Sequence, residues 1–439
     1  MRVLLCGPAG VRKEDVSSAL IHHADAHHSS TVGKHPWIRR YSLESEIKVI
    51  TGGTLQSFLD NHDSSQQRRT WSKAFMRLFE RLNSDNPFNA LIEMHLVFHR
   101  EGHLFSCADW DMIAKLHPSV IVTLIDDVYD CDYRLRSQGQ SAFPGRKYPT
   151  WHELLLWRSA EIQNADQVAR NLFLNPEALQ ILSNKGLKKS LRTQVRPPLV
   201  NILCGVKHPV QTLYRLLFSR FTLPVYASFP ITRPRGSDVG RQEVDNFRQK
   251  LHSQFATLDP LALDERRAVI EMRSGQQIQV RPTQRWPMGL ESMVEGCPEV
   301  DADEIAKNVE DNLNIIDRHI RYRDYALINA IIECRGALVA YRPFWGSDKI
   351  AGGVNQELTY AAAHAVRLFS VDDPGLDRGE TQEQRNAPGP LDMEAIWTSE
   401  QTTDNLISKH ITEHANLREE ALRAEGCSET WECPEGWEP

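Results

Sequence analysis

The chain begins with a short apolar run, Arg2–Cys6, followed at once by the turn Gly7-Pro-Ala-Gly10 and by a helical pattern over residues 14–23. A strand, a glycine turn and a helix in this order are typical of the start of an α/β domain. Further apolar runs, separated by helical patterns, lie at residues 90–97, 119–125 and 199–206. This alternation predicts a parallel sheet that helices cover on both faces.

The same alternation starts again near residue 223. Strands are predicted at residues 223–229, 336–341 and 366–371, and helices at 242–255, 303–332 and 356–365. Between them, residues 265–300 are irregular and rich in arginine, which indicates an excursion or a lid. A polar, Pro/Gly-rich stretch after residue 371 is typical of a linker, and one more helix is predicted at 403–424.

These patterns predict an α/β protein with two parallel-sheet, three-layer domains, residues 1–220 and 221–375. A C-terminal tail, residues 376–439, contains the linker, the last helix and a disordered end. The length of 439 residues agrees with two or three domains.

Composition and charge narrow the classes of function. The net charge is -7, so we expect neither a broad nucleic-acid-binding surface nor a membrane protein, because no apolar run approaches the ~20 residues that a spanning helix needs. Eight cysteines without a CxxC pair favour reduced thiols and a cytoplasmic location. His23 and His27 have helical i,i+4 spacing, but no third ligand is evident, so we predict a solvated face and no metal site.

The first turn has the spacing of a phosphate-binding P-loop, G-x-x-x-x-G-K-[ST]. In that motif, backbone N–H groups surround phosphates, the lysine neutralises them and the hydroxyl holds Mg²⁺. Gly7 and Lys13 fit the motif and Gly10 lies in the loop between them, whereas Arg12 replaces the second motif glycine and Glu14 replaces the hydroxyl residue. We therefore expect a degenerate loop that binds nucleotide through residues 7–13, or one that is only structural.

Residues 1–220 resemble an adenylate-kinase-like P-loop domain. Besides the loop, the segments at 93–136 and 151–170 and the stretch Val206-Lys-His-Pro209 carry the resemblance. It implies that Asp126 and Asp127, at the end of an apolar strand, hold Mg²⁺ through water. It also implies that Arg134 and Arg136 clamp phosphate and that ATP with Mg²⁺ is the ligand of this domain.

The second domain resembles the nucleoside 2-deoxyribosyltransferase-like superfamily, which includes nucleotide N-glycosidases and has a flavodoxin/Rossmann-like fold. Three blocks carry the resemblance: Val225-Tyr-Ala-Ser-Phe-Pro-Ile231, Arg323-Asp-Tyr-Ala-Leu-Ile328 and Gly352-Gly-Val-Asn-Gln-Glu-Leu-Thr-Tyr-Ala361. The last is similar to the family's G-x-x-x-E-x-x-x-A segment, whose Glu is the nucleophile.

The resemblance implies that Glu357 is the nucleophile and Asp324 the second acid, and that the glycosidic chemistry needs no cofactor. A carboxylate suits this role because the anomeric carbon passes through an oxocarbenium-like state. We expect Glu357 in the exposed first turn of a helix, after a flexible glycine turn, where the helix dipole keeps it ionised. Substrate contacts are expected from Ser228, Phe229, Pro230, Gly352, Gly353, Asn355 and Ser347.

One block departs from the family pattern. Members usually carry an Asp just before the central strand, where this chain has Glu333-Cys-Arg-Gly336. Arg335 at this place favours an anionic ligand such as a nucleotide phosphate.

Three functions follow from these observations. The leading hypothesis is cleavage or transfer of an N-glycosidic bond in a nucleoside, nucleotide or dinucleotide, with the first domain binding a nucleotide. The alternatives are a nucleoside or nucleotide phosphotransferase and a catalytically silent nucleotide-binding scaffold. A homo-oligomer is expected, because relatives of the second domain often complete each other's pockets.

Overall fold

The computed structural model describes residues 1–28, 36–55, 58–59, 63–100, 102–137, 148–174, 200–219, 221–231, 238–263, 265, 292–294, 302–342, 352–372, 393–398 and 412–424. Within these residues the chain is an α/β protein with two parallel five-stranded sheets and one short antiparallel pair. The predicted fold class is therefore confirmed at the level of two parallel sheets with helices packed on them.

The first sheet has the strand order β2-β3-β1-β6-β7. Its strands are β1 (Arg2–Cys6), β2 (Ile38–Ser42), β3 (Asn89–Glu93), β6 (Val120–Ile125) and β7 (Val200–Gly205), and β4 (Phe98–Arg100) pairs with β5 (His103–Phe105) outside it. Its helices are α1 (Lys13–His28), α2 (Leu43–Thr51), α3 (Ser64–Asp85), α4 (Trp110–Lys115), α5 (Val128–Ser137), α6 (Trp151–Leu174) and α7 (Val210–Phe218). β1 is the central strand of this sheet. The loop that follows it lies at the carboxyl edge of the sheet.

The second sheet has the order β12-β11-β10-β8-β9. Its strands are β8 (Pro224–Ser228), β9 (Ala256–Leu258), β10 (Ala337–Arg342), β11 (Arg367–Asp372) and β12 (Met393–Thr398). Helices α8 (Asp238–Gln254), α9 (Ala302–Glu333), α10 (Gly352–Ala363) and α11 (Thr412–Ala424) accompany them. In chain order this is the flavodoxin-like 2-1-3-4-5 arrangement, whose strand order reverses between β8 and β10. Such reversal points are where open α/β sheets form a crevice at the carboxyl ends of their strands.

Five strands were not predicted. Two of them, β4 and β5, form the short antiparallel pair, and the other three belong to the two parallel sheets. β2 is an edge strand with the sequence IRRYS, in which two arginines interrupt the apolar pattern. β9 has only three residues. β12 lies at residues 393–398, within the stretch predicted as linker and tail, and pairs in parallel with β11, so the chain beyond residue 375 adds a strand to the second sheet.

The two sheets share buried contacts. Ile125 and Leu203 of the first sheet belong to one apolar cluster with Tyr226 and Leu327 of the second part of the chain. A buried polar contact lies beside it: the Asp259 backbone N–H donates to Nε2 of His208 at 2.9 Å, and burial lowers the pKa of His208 to about 4. His208 is therefore neutral at physiological pH and joins β7 to β9 without a buried charge of its own.

Within the described ranges, no helix combines the length and the apolar character required to span a bilayer.

Candidate functional site

A carboxylate lies at the point where the second sheet reverses its order. Glu357 of α10 is only 8% exposed, and two side chains of β8 donate hydrogen bonds to it. The Tyr226 hydroxyl donates to Oε1 at 2.9 Å and the Ser228 hydroxyl donates to Oε2 at 2.5 Å. Ser228 is the last residue of β8 and pairs with Ala340 of β10. Both carboxylate oxygens are thus fixed beside the carboxyl end of β8, where the strand order reverses.

A second acid is presented to the same place by α9. Asp324, whose side chain is 15% exposed, accepts two hydrogen bonds from the guanidinium of its neighbour Arg323, from Nε at 2.9 Å and from Nη2 at 2.6 Å. Its negative charge is close enough to Glu357 to raise the pKa of that residue. The structure therefore brings together the two acids, Glu357 and Asp324, that the sequence singled out.

The environment of Glu357 differs from the sequence-based expectation. α10 begins at Gly352, so Glu357 lies in the second helical turn, and its side chain is buried rather than exposed. Burial raises its pKa to about 8, the charge of Asp324 adds to the rise, and the hydrogen bonds from Ser228 and Tyr226 and the charge of Arg323 oppose it. The expectation that a helix dipole keeps this carboxylate ionised was wrong, because Glu357 is buried past the first turn of the helix and burial favours the neutral form.

The predicted glycine turn before Glu357 is helix. Gly352 and Gly353 form the first turn of α10, and a Cβ at either would meet no atom within 4 Å. Asn355 follows on the same helix, and its carbonyl accepts from Thr359. No steric demand of the protein itself requires glycine at these two positions.

The other predicted substrate-binding residues lie in different parts of the second domain. Pro230 is buried just after β8, whereas Phe229 packs in the apolar core against Phe247. Arg335 has a left-handed backbone, with φ 53°, and precedes β10 at its amino end. Glu357 lies at the carboxyl end of the neighbouring strand, so the structure does not bring Arg335 to it. Ser347 lies outside the described residues.

The loop after β1 keeps the backbone shape of a glycine-rich turn. Gly7 and Gly10 have φ of 146° and 86°, and Arg12, which replaces the second motif glycine, has a left-handed φ of 55°. A Cβ on Gly7 would lie 2.4 Å from the carbonyl oxygen of Leu124. Gly7 is thus required by a close approach of two strands, and Arg12 adopts a conformation that favours glycine.

The substituted motif residues already form ion pairs. Nε of Arg12 lies 2.5 Å from Asp15, and Glu14 accepts from Arg40 at 2.7 Å. Lys13 is buried; its ammonium donates to the Gly7 carbonyl at 3.2 Å and lies 3.0 Å from Nε2 of His95. The position of the motif's Mg²⁺-binding hydroxyl therefore carries a carboxylate that a guanidinium neutralises.

The strand-end aspartates are buried around a lysine. The ammonium of Lys207 lies 3.3 Å from Asp126 and forms close ion pairs with Asp127 and Asp130. Burial raises the pKa of Asp127. These three carboxylates would suit a cation, but Lys207 already provides one. The residues therefore do not fit Mg²⁺ here.

The two arginines expected to clamp phosphate are held by other partners. Arg134 is buried, donates to the Gly10 carbonyl at 2.9 Å and to Asp126 at 2.5 Å. Arg136 is 42% exposed and pairs with Asp132 at 2.8 Å. Arg134 thus connects the loop backbone to the aspartate cluster, while Arg136 lies on the helix surface.

Three buried charged residues were not recognised from the sequence as site residues. Arg158 and Glu265 form a two-pronged ion pair at 2.5 and 3.2 Å, and the charge of Arg323 interacts with those of Glu265 and Asp324. The only sequence signal was that Arg323 directly precedes the predicted acid in the second family block.

No family model matches this sequence, and no curated protein matches it significantly.

Gly7 and Gly353 should respond differently to replacement by alanine, because only Gly7 has no room for a side chain. Gly7→Ala is expected to lower the free energy of unfolding by at least about 2 kcal/mol, because a side chain there is strained in its backbone and collides with Leu124. Gly353→Ala, in open space on a helix, is expected to raise it by about 0.4–1 kcal/mol. Urea unfolding of both variants checks this, and equal effects would contradict it.

Proposed function

We propose that this protein cleaves or transfers the N-glycosidic bond of a nucleoside, nucleotide or dinucleotide, with Glu357 as the attacking carboxylate. The observation that carries the proposal is the pair of hydrogen bonds from Tyr226 and Ser228, which orient both oxygens of a buried carboxylate where the strand order of the second sheet reverses. A carboxylate held in this way suits attack on an anomeric carbon as positive charge develops there.

The two acids have different roles in this proposal. Glu357 is desolvated and attacks in its ionised form, which its pKa of about 8 makes about one tenth of the population at pH 7. Asp324 is more exposed and forms an ion pair with Arg323. It is therefore suited to hold a sugar hydroxyl, while its charge helps to stabilise the oxocarbenium-like state.

The testing experiment is a substrate panel. The full-length protein is incubated with nucleosides, nucleotides and NAD, and the products are separated by chromatography. We expect a free base, or a base exchanged onto another sugar, from at least one substrate. Transferred phosphate without release of base would support the phosphotransferase alternative instead, and no product at all would support the silent scaffold.

Nucleotide binding by the first sheet is a second candidate function, supported by the loop backbone around Gly7 and Gly10. Buried Lys13 is the cation of this loop, although His95 and the Gly7 carbonyl already contact it. A phosphate would add a charge-assisted hydrogen bond to it. The proposal includes no magnesium, since neither Glu14 nor the Lys207 cluster suits that ion.

Lys13→Ala is expected to weaken ATP binding by about 10- to 150-fold, because one charge-assisted contact of about 1.5–3 kcal/mol is lost. Calorimetry at matched pH and salt measures it. The control is Arg12→Ala, which removes a neighbouring cation whose side chain is 53% exposed and should weaken binding far less. Absence of ATP binding by the unmutated protein would refute this second function.

A further inference from the structure

A buried glutamate joins the two halves of the molecule. Glu265 is 1% exposed, and its carboxylate accepts from both prongs of the Arg158 guanidinium, at 2.5 and 3.2 Å. The backbone N–H of Val128 donates to it at 3.1 Å. Arg158 belongs to α6 and Val128 to α5, so Glu265 is fixed by the part of the chain that carries the first sheet.

The same segment contacts the candidate active site from the other side. Arg323 donates to the carbonyl of Leu263, two residues before Glu265, and donates through Nε and Nη2 to Asp324. Its charge interacts with that of Glu265 as well as with that of Asp324. Charges therefore alternate from Arg158 through Glu265 and Arg323 to Asp324, which lies beside Glu357.

We propose that Arg158 and Glu265 are positioning residues for Glu357, through which the first half of the chain sets the charge state of the carboxylate in the second. This inference rests on the proposed function for its meaning in catalysis, although the electrostatic connection itself does not require a substrate. Glu265 partly neutralises Arg323, and Arg158 in turn partly neutralises Glu265.

The described residues include the groups that surround the carboxylates of Glu357 and Glu265. Glu357 faces Tyr226 and Ser228 from β8 and Arg323 and Asp324 from α9, while β10 and β11 contribute apolar side chains, including Leu338, Ala340 and Leu368.

Glu265 faces Arg158, Arg323 and the neighbouring Asp127. His319 of α9 also interacts with Arg158 and Glu265, and burial lowers its pKa to about 4. It therefore stays neutral where Glu357 titrates, and the response of Glu357 reflects the arginine and carboxylate charges.

Replacements of Glu265 and of Arg158 should have opposite effects on the titration of Glu357. Glu265→Gln leaves the positive charges of Arg158 and Arg323 uncompensated, which favours ionised Glu357 and lowers the pH of its titration. Arg158→Met leaves Glu265 to neutralise Arg323, so Arg323 shields Glu357 less and the titration moves to higher pH. Each shift is expected to be about one pH unit.

The experiment measures the titration of Glu357 in the full-length protein without substrate. For each background, the unfolding free energy is compared with that of the same background carrying Glu357→Gln, from about pH 5 to about pH 10. The pH above which this difference stops changing gives the midpoint of the Glu357 titration in the folded protein, because the difference changes only between the pKa of the unfolded chain and that of the folded chain. Arg136→Met, which removes the partly exposed partner of Asp132, is the control and should leave the midpoint unchanged.

Opposite shifts for Glu265→Gln and Arg158→Met support the proposal, and unchanged midpoints or shifts in one direction overturn it. If Glu265→Gln does not fold, Arg158→Lys replaces it. Lysine keeps the positive charge, so a midpoint near that of the parent is expected for Arg158→Lys. A shift as large as that of Arg158→Met would contradict the proposal. Opposite shifts without base release from any substrate would retain this connection and reject the proposed function.

Discussion

Replacement of Glu357 by Gln is expected to lower kcat for base release by at least ~10³-fold, which corresponds to about 4 kcal/mol. Gln keeps the size of the side chain and can still bond to Tyr226 and Ser228, but it cannot attack the anomeric carbon. Because this interaction forms only in the transition state, the loss should appear in kcat and not in KM. Steady-state kinetics on a substrate from the panel measures it.

Two variants separate the role of Glu357 from a general effect of altered acids. Asp324→Asn should lose less rate, because Asp324 assists and does not attack. Glu333→Gln is the matched control: Glu333 is another carboxyl whose pKa burial raises, at the far end of α9, and its replacement should leave kcat unchanged. Full activity in Glu357→Gln, or an equal loss in Glu333→Gln, would reject the mechanism.

Replacement of Glu357 by Gln is also expected to stabilise the protein at high pH. Glu357 has a pKa of about 8 in the folded chain against a usual 4.5, so its neutral form contributes stability that is fully present below about pH 4.5. That stability is lost as the pH rises to about 8. Over this window the parent should lose about 3–5 kcal/mol that Glu357→Gln does not lose. Urea unfolding at several pH values measures the growing difference.

Glu153 supplies a control of opposite sign. Burial alone would raise its pKa, but hydrogen bonds from Thr150 and the nearby His99 outweigh burial and lower it. Its contribution is therefore present at neutral pH and is lost as the pH falls through the lowered value. Glu153→Gln should destabilise the protein at neutral pH and approach the parent in acid. Parallel pH profiles for Glu153→Gln and Glu357→Gln would contradict this electrostatic account.

Much of the fold could be predicted from apolar runs, because strands buried on both faces need them. Arg2–Cys6 and Val120–Ile125 are such runs, and both are central strands of the first sheet. Apolar runs are absent where the environment of a strand differs. Ile38–Ser42 lies at a sheet edge and includes two arginines that are only partly buried. A strand that is buried on both faces can be predicted from its apolar run. An edge strand is not buried in this way and has no such run.

The site could be predicted in its residues but not in its electrostatics. Glu357 and Asp324 were identified from short blocks, yet the hydroxyls that orient Glu357 come from residues 131 and 129 positions earlier. Likewise, Lys207 lies 80 residues after Asp127, whose charge it neutralises. Burial and ion pairing depend on such long-range contacts, which local spacing does not encode, so neither the raised pKa of Glu357 nor the occupied aspartate cluster was predicted.

The attack of Glu357 on a sugar carbon is tested most directly by capture of the covalent intermediate. The protein is mixed with the best substrate of the panel, quenched in acid, digested and analysed by mass spectrometry, with Glu357→Gln treated in parallel. We predict one sugar residue attached to the peptide that contains Glu357, and none in the variant. Base release at full rate with the sugar on another peptide, or base release that persists in Glu357→Gln, would contradict the account.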